Sequence, residues 1–275
     1  MRTRPRQSDP PVFHLVLIKP THYDDDGYPI RWVKAAIPSN TLAALNGLAE
    51  DAARRQVLGP GVGIRIHTFD ETNQRVRPAR IIRAVCQAGG RALIGLVGVQ
   101  SNQFPRAVDL ARPFRAAGLP VCIGGFHVSG CIAMLPEMPV EMVEAQALGI
   151  SFFAGEAEDG RLGEVMRDAW NGTLRPLYNH MSDLPGLEAE PLPILPPVIS
   201  AGSLTRFRAS ISVAAAPINA RSARSSMFRA ARAGFAHLTI LSGRFVKITR
   251  AVSGDSSSPT TISRATATGK RCSTG

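Results

Sequence analysis

RALIGLVGVQSNQFPRAVDLARPFRAAGLPVCIGGFH, residues 91–127, contains one complete strand–helix–strand unit. Leu93–Val99 is an unbroken apolar run, the pattern of a strand covered on both faces. The polar residues Gln100, Ser101 and Asn102 end it. Pro105 suits the first turn of a helix that runs to Ala117, where Gly118 closes it. Val121–Ile123 is a second apolar run, stopped by Gly124-Gly125. Two buried strands with a helix between them predict parallel pairing through a crossover.

The same alternation extends in both directions. Phe13–Ile18 (FHLVLI) reads as a strand ended by Lys19-Pro20, and the following loop, Thr21–Pro38, has a length often associated with function. Ser39 or Asn40 caps a helix to about Arg55, with Leu42, Leu45, Leu48 and Ala49 on one face. Val62–Phe69 is a strand, and Pro78–Ala88 is a helix stopped by Gly89-Gly90. Beyond the central unit, Glu137–Leu148 reads as a helix, Ser151–Ala154 as a strand and Gly160–Trp170 as a helix. Alternation of this kind implies an α/β fold of flavodoxin-like (Rossmann-like) type: a five-stranded parallel sheet in the order 2-1-3-4-5, with helices on both faces. The domain spans residues 12–172. A Pro-rich linker (173–199) and a mostly irregular tail (200–275) follow.

In such sheets ligands bind beyond the carboxyl ends of the strands, at the switch in strand order. That rule selects Lys19, Pro20, Ser101, Asn102, Gly124, Gly125, Phe126, His127, Gly155 and Glu156 as candidate cofactor-binding residues. Gly124-Gly125 lets a flat ligand approach the backbone, since neither residue carries a Cβ. Neither a GxGxxG turn after the first strand nor a Walker A motif is present, which argues against a dinucleotide or nucleoside-triphosphate site. Cys122, His127 and Cys131 lack the paired spacing of a zinc site, and Asp24-Asp25-Asp26 reads as a solvated loop. His14 and Cys86 fall within apolar elements and read as packing residues. No Ser-His-Asp or Cys-His set can be assembled from the sequence, so no catalytic residue and no metal ligand is assigned.

The formal net charge of +11 is unevenly distributed. Residues 1–199 carry 20 Lys+Arg and 20 Asp+Glu, whereas residues 200–275 carry 12 Lys+Arg and a single acid, Asp255. An anionic partner is therefore a question about the tail alone, where nonspecific, salt-sensitive contact with nucleic acid is the expectation. No apolar run reaches the roughly 18 residues of a membrane span. The N-terminus lacks a signal-peptide core, and the four cysteines show no disulfide framework. These features predict a cytoplasmic protein without a membrane partner.

Three segments together carry a family resemblance: VCIGGFHVSGCIAMLPEMP, ALGISFFAGEAEDGRLGEVMRDAWNGTLRPLYN and DLPGLEAEPLPILP. In order and spacing they resemble the N-terminal half of cobalamin-binding-domain radical SAM proteins, over about residues 12–197. The resemblance implies a Rossmann-like domain binding cobalamin, a corrinoid small molecule. In intact family members a barrel follows, whose Cys-x3-Cys-x2-Cys motif holds a [4Fe-4S] cluster that cleaves S-adenosylmethionine. Two departures stand out. The loop after the first strand reads KPTHYDDDG and lacks Asp-x-His-x-x-Gly, so the nucleotide tail is expected along Ser101 and the Gly124-Gly125 turn, with no protein histidine on cobalt. The cysteine motif is also missing after Pro197, since Cys272 is the only later cysteine. The chain is therefore not expected to perform radical SAM chemistry. A flavodoxin- or receiver-like module is the competing reading of the same fold.

The tail reads as out-of-frame sequence. Permitted codons for Ile211–Ala223 (ISVAAAPINARSA), read one nucleotide earlier, encode DLGRGCPYQCSFC, which contains the missing motif. In the same frame Arg224–Arg229 gives TIINVQ and Ser258–Ile262 gives ITDDN. A frame change between about Pro197 and Ile211 accounts for the basic composition and for the absence of sustained periodicity, and it predicts a disordered tail. The coding DNA tests this directly. The expected result is the cysteine motif in the alternate frame at Ile211–Ala223, and any other codon choice there removes the idea.

Overall fold

A computed structural model describes residues 10–32, 39–183, 185 and 190–196. The expectations for residues 200–275 lie outside the described residues. In chain order the elements are β1 (Val12–Lys19), α1 (Asn40–Arg54), β2 (Gly63–Asp70), α2 (Pro78–Gln87), β3 (Ala92–Leu96), α3 (Phe104–Ala116), β4 (Val121–Gly124), α4 (Phe126–Met134), α5 (Val140–Ala147), β5 (Ile150–Ala154), α6 (Arg161–Asn171) and β6 (Leu177–Asn179). All strand pairs are parallel, in the order β2-β1-β3-β4-β5-β6. The expected 2-1-3-4-5 order is present, and the sheet is one strand larger than expected.

Period-two alternation divides the core between two faces. Val16, Ile18, Ile94, Leu96, Ile123 and Phe152 pack under Phe104, Leu110 and Phe114 of α3 and Met142 of α5. Phe13, Leu15, Leu17, Leu93 and Cys122 pack on the other face, under α1 and α6. Burial on both faces explains why these strands read as continuous apolar runs. The Ser39 hydroxyl accepts from the Leu42 amide and starts α1, as its sequence predicts. Among the described residues no helix is long and apolar enough to cross a membrane.

Five expectations need correction. Residues 177–179 belong to β6 rather than to a linker: Tyr178 is buried, and its hydroxyl donates to Asp168 at 2.7 Å. Part of the Pro-rich stretch also docks, since the Ile194 amide donates to the Ala43 carbonyl of α1 at 2.9 Å. The β3 ladder stops at Leu96, because Gly98 turns the chain at φ +64° before Val99. Residues 126–134 form a helix where none was expected, and the following helix is shortened to α5, which starts after Pro139. Cys86 lies on the exposed side of α2 and does not pack in the core.

His14 is buried, as expected, but it also carries chemistry. Its Nδ1 lies 3.0 Å from His67 Nε2, the ring planes differ by 1° and the centroids are 5.2 Å apart. Those values describe two coplanar rings joined edge to edge by an N–H···N bond, not face-to-face stacking. His14 Nε2 is buried without a partner. A bare nitrogen there costs less than an unpaired N–H, so His14 Nδ1 is the donor and His67 Nε2 the acceptor. Burial lowers both pKa values, and the Arg65 charge lowers them further. The folded protein thus keeps these rings neutral at pH values where the unfolded chain binds protons. Stability is complete above the ordinary histidine value of 6.5 and falls as the pH drops below it. Thermal melts should show Tm several degrees lower at pH 5.5 than at pH 7.5, with a smaller difference in His14→Leu/His67→Leu. An unchanged pH dependence in that variant would assign the effect to other groups.

Candidate functional site

The switch in strand order lies at β1, whose two neighbours β2 and β3 are reached by crossovers in opposite directions. Beside it, on the face covered by α1 and α6, lies a cleft of about 390 Å³. Leu15, Leu17, Leu93 and Phe153 floor it, together with Gly95 and Gly124, where the strands expose bare backbone. Thr41, Ala44, Leu45 and Leu48 of α1 form one wall, and Leu162 and Val165 of α6 the other. Gln100 and Glu156 bring polar groups to the rim.

The rim is shaped by backbone. β3, β4 and β5 are each followed by a glycine at positive φ: Gly98 (+64°), Gly125 (+144°) and Gly155 (+108°). Gly125 is the tightest of them. A Cβ there would sit 2.2 Å from the Val99 amide nitrogen. The Gly155 amide donates to the Ser129 hydroxyl of α4 at 3.1 Å, which ties the β5 end to that helix. Cys122 reaches the cleft from β4, and burial pushes its thiol up to about 12, so it is a neutral packing group.

The candidate residues separate into three groups. Gly124, Gly125, Phe126, Gly155 and Glu156 line the cleft. Ser101 and His127 meet instead on the α3 side of the sheet, with His127 Nδ1 3.2 Å from Ser101 Oγ, and Asn102 is exposed beside them. Lys19 and Pro20 belong to a polar anchor at the end of β1, where the Lys19 carbonyl accepts from the Glu71 amide. Glu71 is buried and receives Arg106 at 2.5–3.2 Å and the Thr21 amide at 3.2 Å. Arg106 also donates to Tyr23, whose hydroxyl donates to Asp109 at 2.6 Å. This network clamps the long loop after β1 onto α3. Asp24 accepts from the Asp26 and Tyr28 amides, so it shapes a turn. Among the described residues no three His, Cys, Asp or Glu side chains are grouped to hold a metal ion. Cys131 lies 3.9–4.0 Å from the His127 ring, whereas Cys122 lies on the cleft face.

The α1 wall was visible in the sequence only as a packing stripe, because Leu45 and Leu48 look the same under a ligand as under a core. Glu71 and Arg106 carry no motif and become visible only in three dimensions. The chain matches no protein-family model and no curated protein.

Two glycines of one turn and its helix should respond oppositely to alanine. Gly125→Ala places a Cβ against backbone that cannot yield and requires a left-handed φ, so a stability loss of about 3 kcal/mol or more is expected. Gly130→Ala adds a methyl in open space within α4 and should stabilise by up to about 1 kcal/mol. Urea titrations of both variants measure this difference.

Proposed function

We propose that the cleft holds the nucleotide tail of a cobalamin, and that this chain is a corrinoid-binding domain. The observation that carries this reading is the bare backbone floor at Gly95 and Gly124, set between apolar helix walls at the strand-order switch. A flat heteroaromatic base needs that shape: a slot with a backbone floor and few side-chain obstructions. In this arrangement Leu45, Leu48 and Phe153 enclose the base, and Thr41 and Gln100 offer hydrogen bonds to its polar edge and ribose. Glycines at the rim admit the larger ring system outside the cleft. When bound, the corrin cobalt supplies a centre for alkyl-group chemistry. The protein binds and orients the cofactor and excludes water from its buried end. His127 is engaged on the opposite side of the sheet, which is consistent with a cofactor carrying no histidine from this chain.

Mixing the purified full chain with aquacobalamin or methylcobalamin should give a red protein that survives gel filtration, with saturable changes in the visible spectrum. Ala44→Trp fills the cleft from the α1 wall and should weaken binding at least roughly tenfold, equivalent to about 1.4 kcal/mol. Failure of every corrinoid to bind, or binding unaffected by Ala44→Trp, would overturn the assignment. Tight binding of flavin mononucleotide in its place would make the domain flavodoxin-like.

A further inference from the structure

We propose that Ser101, His127 and Glu141 form a nucleophilic site, on the sheet face opposite the cleft, that hydrolyses uncharged carboxylic esters. The three residues come from three different elements: the turn after β3, helix α4 and helix α5. His127 Nδ1 lies 3.2 Å from Ser101 Oγ, and His127 Nε2 lies 3.3 Å from Glu141 Oε1.

The hydrogen-bond inventory dictates the tautomer. His127 Nε2 faces the exposed Glu141 carboxylate at ion-pair distance, and a carboxylate can only accept, so the charge favours the proton on Nε2. Nδ1 is then a bare lone pair, and the Ser101 O–H at 3.2 Å is its nearer donor, with the Cys131 thiol at 4.0 Å. This is the protonation pattern of a serine–histidine–acid relay, with the two ring nitrogens in exchanged roles. Burial lowers the His127 pKa, and the Glu141 charge opposes that shift, so the ring is a neutral base at pH 7. Its orientation is over-determined. The Phe104 ring lies 4.4 Å away, centroid to centroid, and the His127 backbone amide donates to the Val99 carbonyl at 2.9 Å. Cys131 is the competing nucleophile by proximity. It lies at 3.9–4.0 Å, and burial and the Glu141 charge raise its pKa, which keeps it a thiol.

Ser101 is exposed and opens onto a groove of about 490 Å³ between α3 and α5. Phe104, Pro105, Val108, Ala145 and Leu148 give the groove an apolar wall for an acyl chain. Three carboxylates, Asp109, Glu141 and Glu144, against one guanidinium, Arg112, disfavour an anionic substrate. The substrate class is therefore a neutral ester with an apolar acyl group. In the first step Ser101 Oγ bonds to the acyl carbon as its proton passes to His127 Nδ1. The bond to the leaving alcohol breaks, and that alcohol takes the proton from Nδ1. Water then attacks the acyl-serine, gives a proton to Nδ1, and releases the acid as Ser101 recovers its hydrogen.

The full chain should hydrolyse p-nitrophenyl butyrate and become labelled by a fluorophosphonate, with peptide mass mapping placing the label on Ser101. Ser101→Ala, checked for folding by circular dichroism, should abolish both the label and the activity. Glu141→Gln should lower kcat by roughly two- to fivefold with little change in KM, because the imidazolium loses a solvent-screened counter-charge. The rate should rise with pH as His127 loses its proton, with a midpoint below 6.5. Cys131→Ala should keep wild-type rates. Labelling at any other residue, full activity in Ser101→Ala, or loss of activity in Cys131→Ala would overturn the proposal.

Discussion

The turn between β4 and α4 can close only because residue 125 has no side chain. The Val99 amide donates to the Gly124 carbonyl, and the His127 amide donates to the Val99 carbonyl, so two hydrogen bonds continue the β3–β4 pairing past the last ladder residue. This reciprocal pair holds Gly125 against the backbone of Gly98 and Val99, where a Cβ would overlap all of its neighbours. The cleft and the His127 side chain are both arranged around that contact. On one face it exposes the bare floor of the cleft. On the other it starts α4 at Phe126, so the next residue, His127, is directed beneath α3 toward Ser101.

The two faces differ in polarity because their helices differ in what they cover. On the α1 and α6 side, the cleft is walled by leucine, valine and alanine, and polar atoms occur mainly at the mouth. On the α3 side, buried polar groups are matched in pairs. Arg106 meets Glu71 through several nitrogen–oxygen contacts, and His127 sits between a hydroxyl and a carboxylate. A buried charge is tolerable when paired and hydrogen-bonded, and Glu71 satisfies both conditions through Arg106 and the Thr21 amide. That clamp also anchors the start of the loop after β1, at Thr21 and Tyr23, near the end of the sheet where both sites lie.

Much of this architecture was legible in the sequence because parallel strands buried on both faces leave a strong signal. The runs at residues 13–18, 93–99, 121–123 and 151–154 all correspond to strands, and Gly124-Gly125 marked the decisive turn. The failures have physical causes. Leu177-Tyr178-Asn179 is too short for a period to register, and the nearby prolines suggest a linker. The strand exists because the buried Tyr178 finds a half-buried partner in Asp168 and because β5 offers an open edge. FHVSGCIAM has poor helix formers and no stripe, yet it is helical because Gly125 sets its direction and Val128 and Ser129 are buried against the sheet. Sequence order placed Ser101 and His127 in one list of strand-end residues. It could not show that side chains leaving adjacent strand ends emerge on opposite faces, nor that Glu141, 14 positions further on, returns to the same imidazole.

A shared turn joins the two faces. Gly125 lines the cleft, and His127 follows two residues later with its backbone bonded to Val99, so the rim and the imidazole share one backbone contact. The tolerance for movement there is small. At 3.2 Å, the His127–Ser101 contact is at the long end of useful hydrogen bonds, where an outward shift of a few tenths of an ångström weakens it and an inward shift tightens it. Gly155 adds a second linkage, since its amide holds Ser129 of the same helix while its own backbone lines the cleft. Helix α4 is thus held at Gly125 and at Ser129 by the rim of one site while it carries the central residue of the other. Its geometry therefore cannot be set by either face alone.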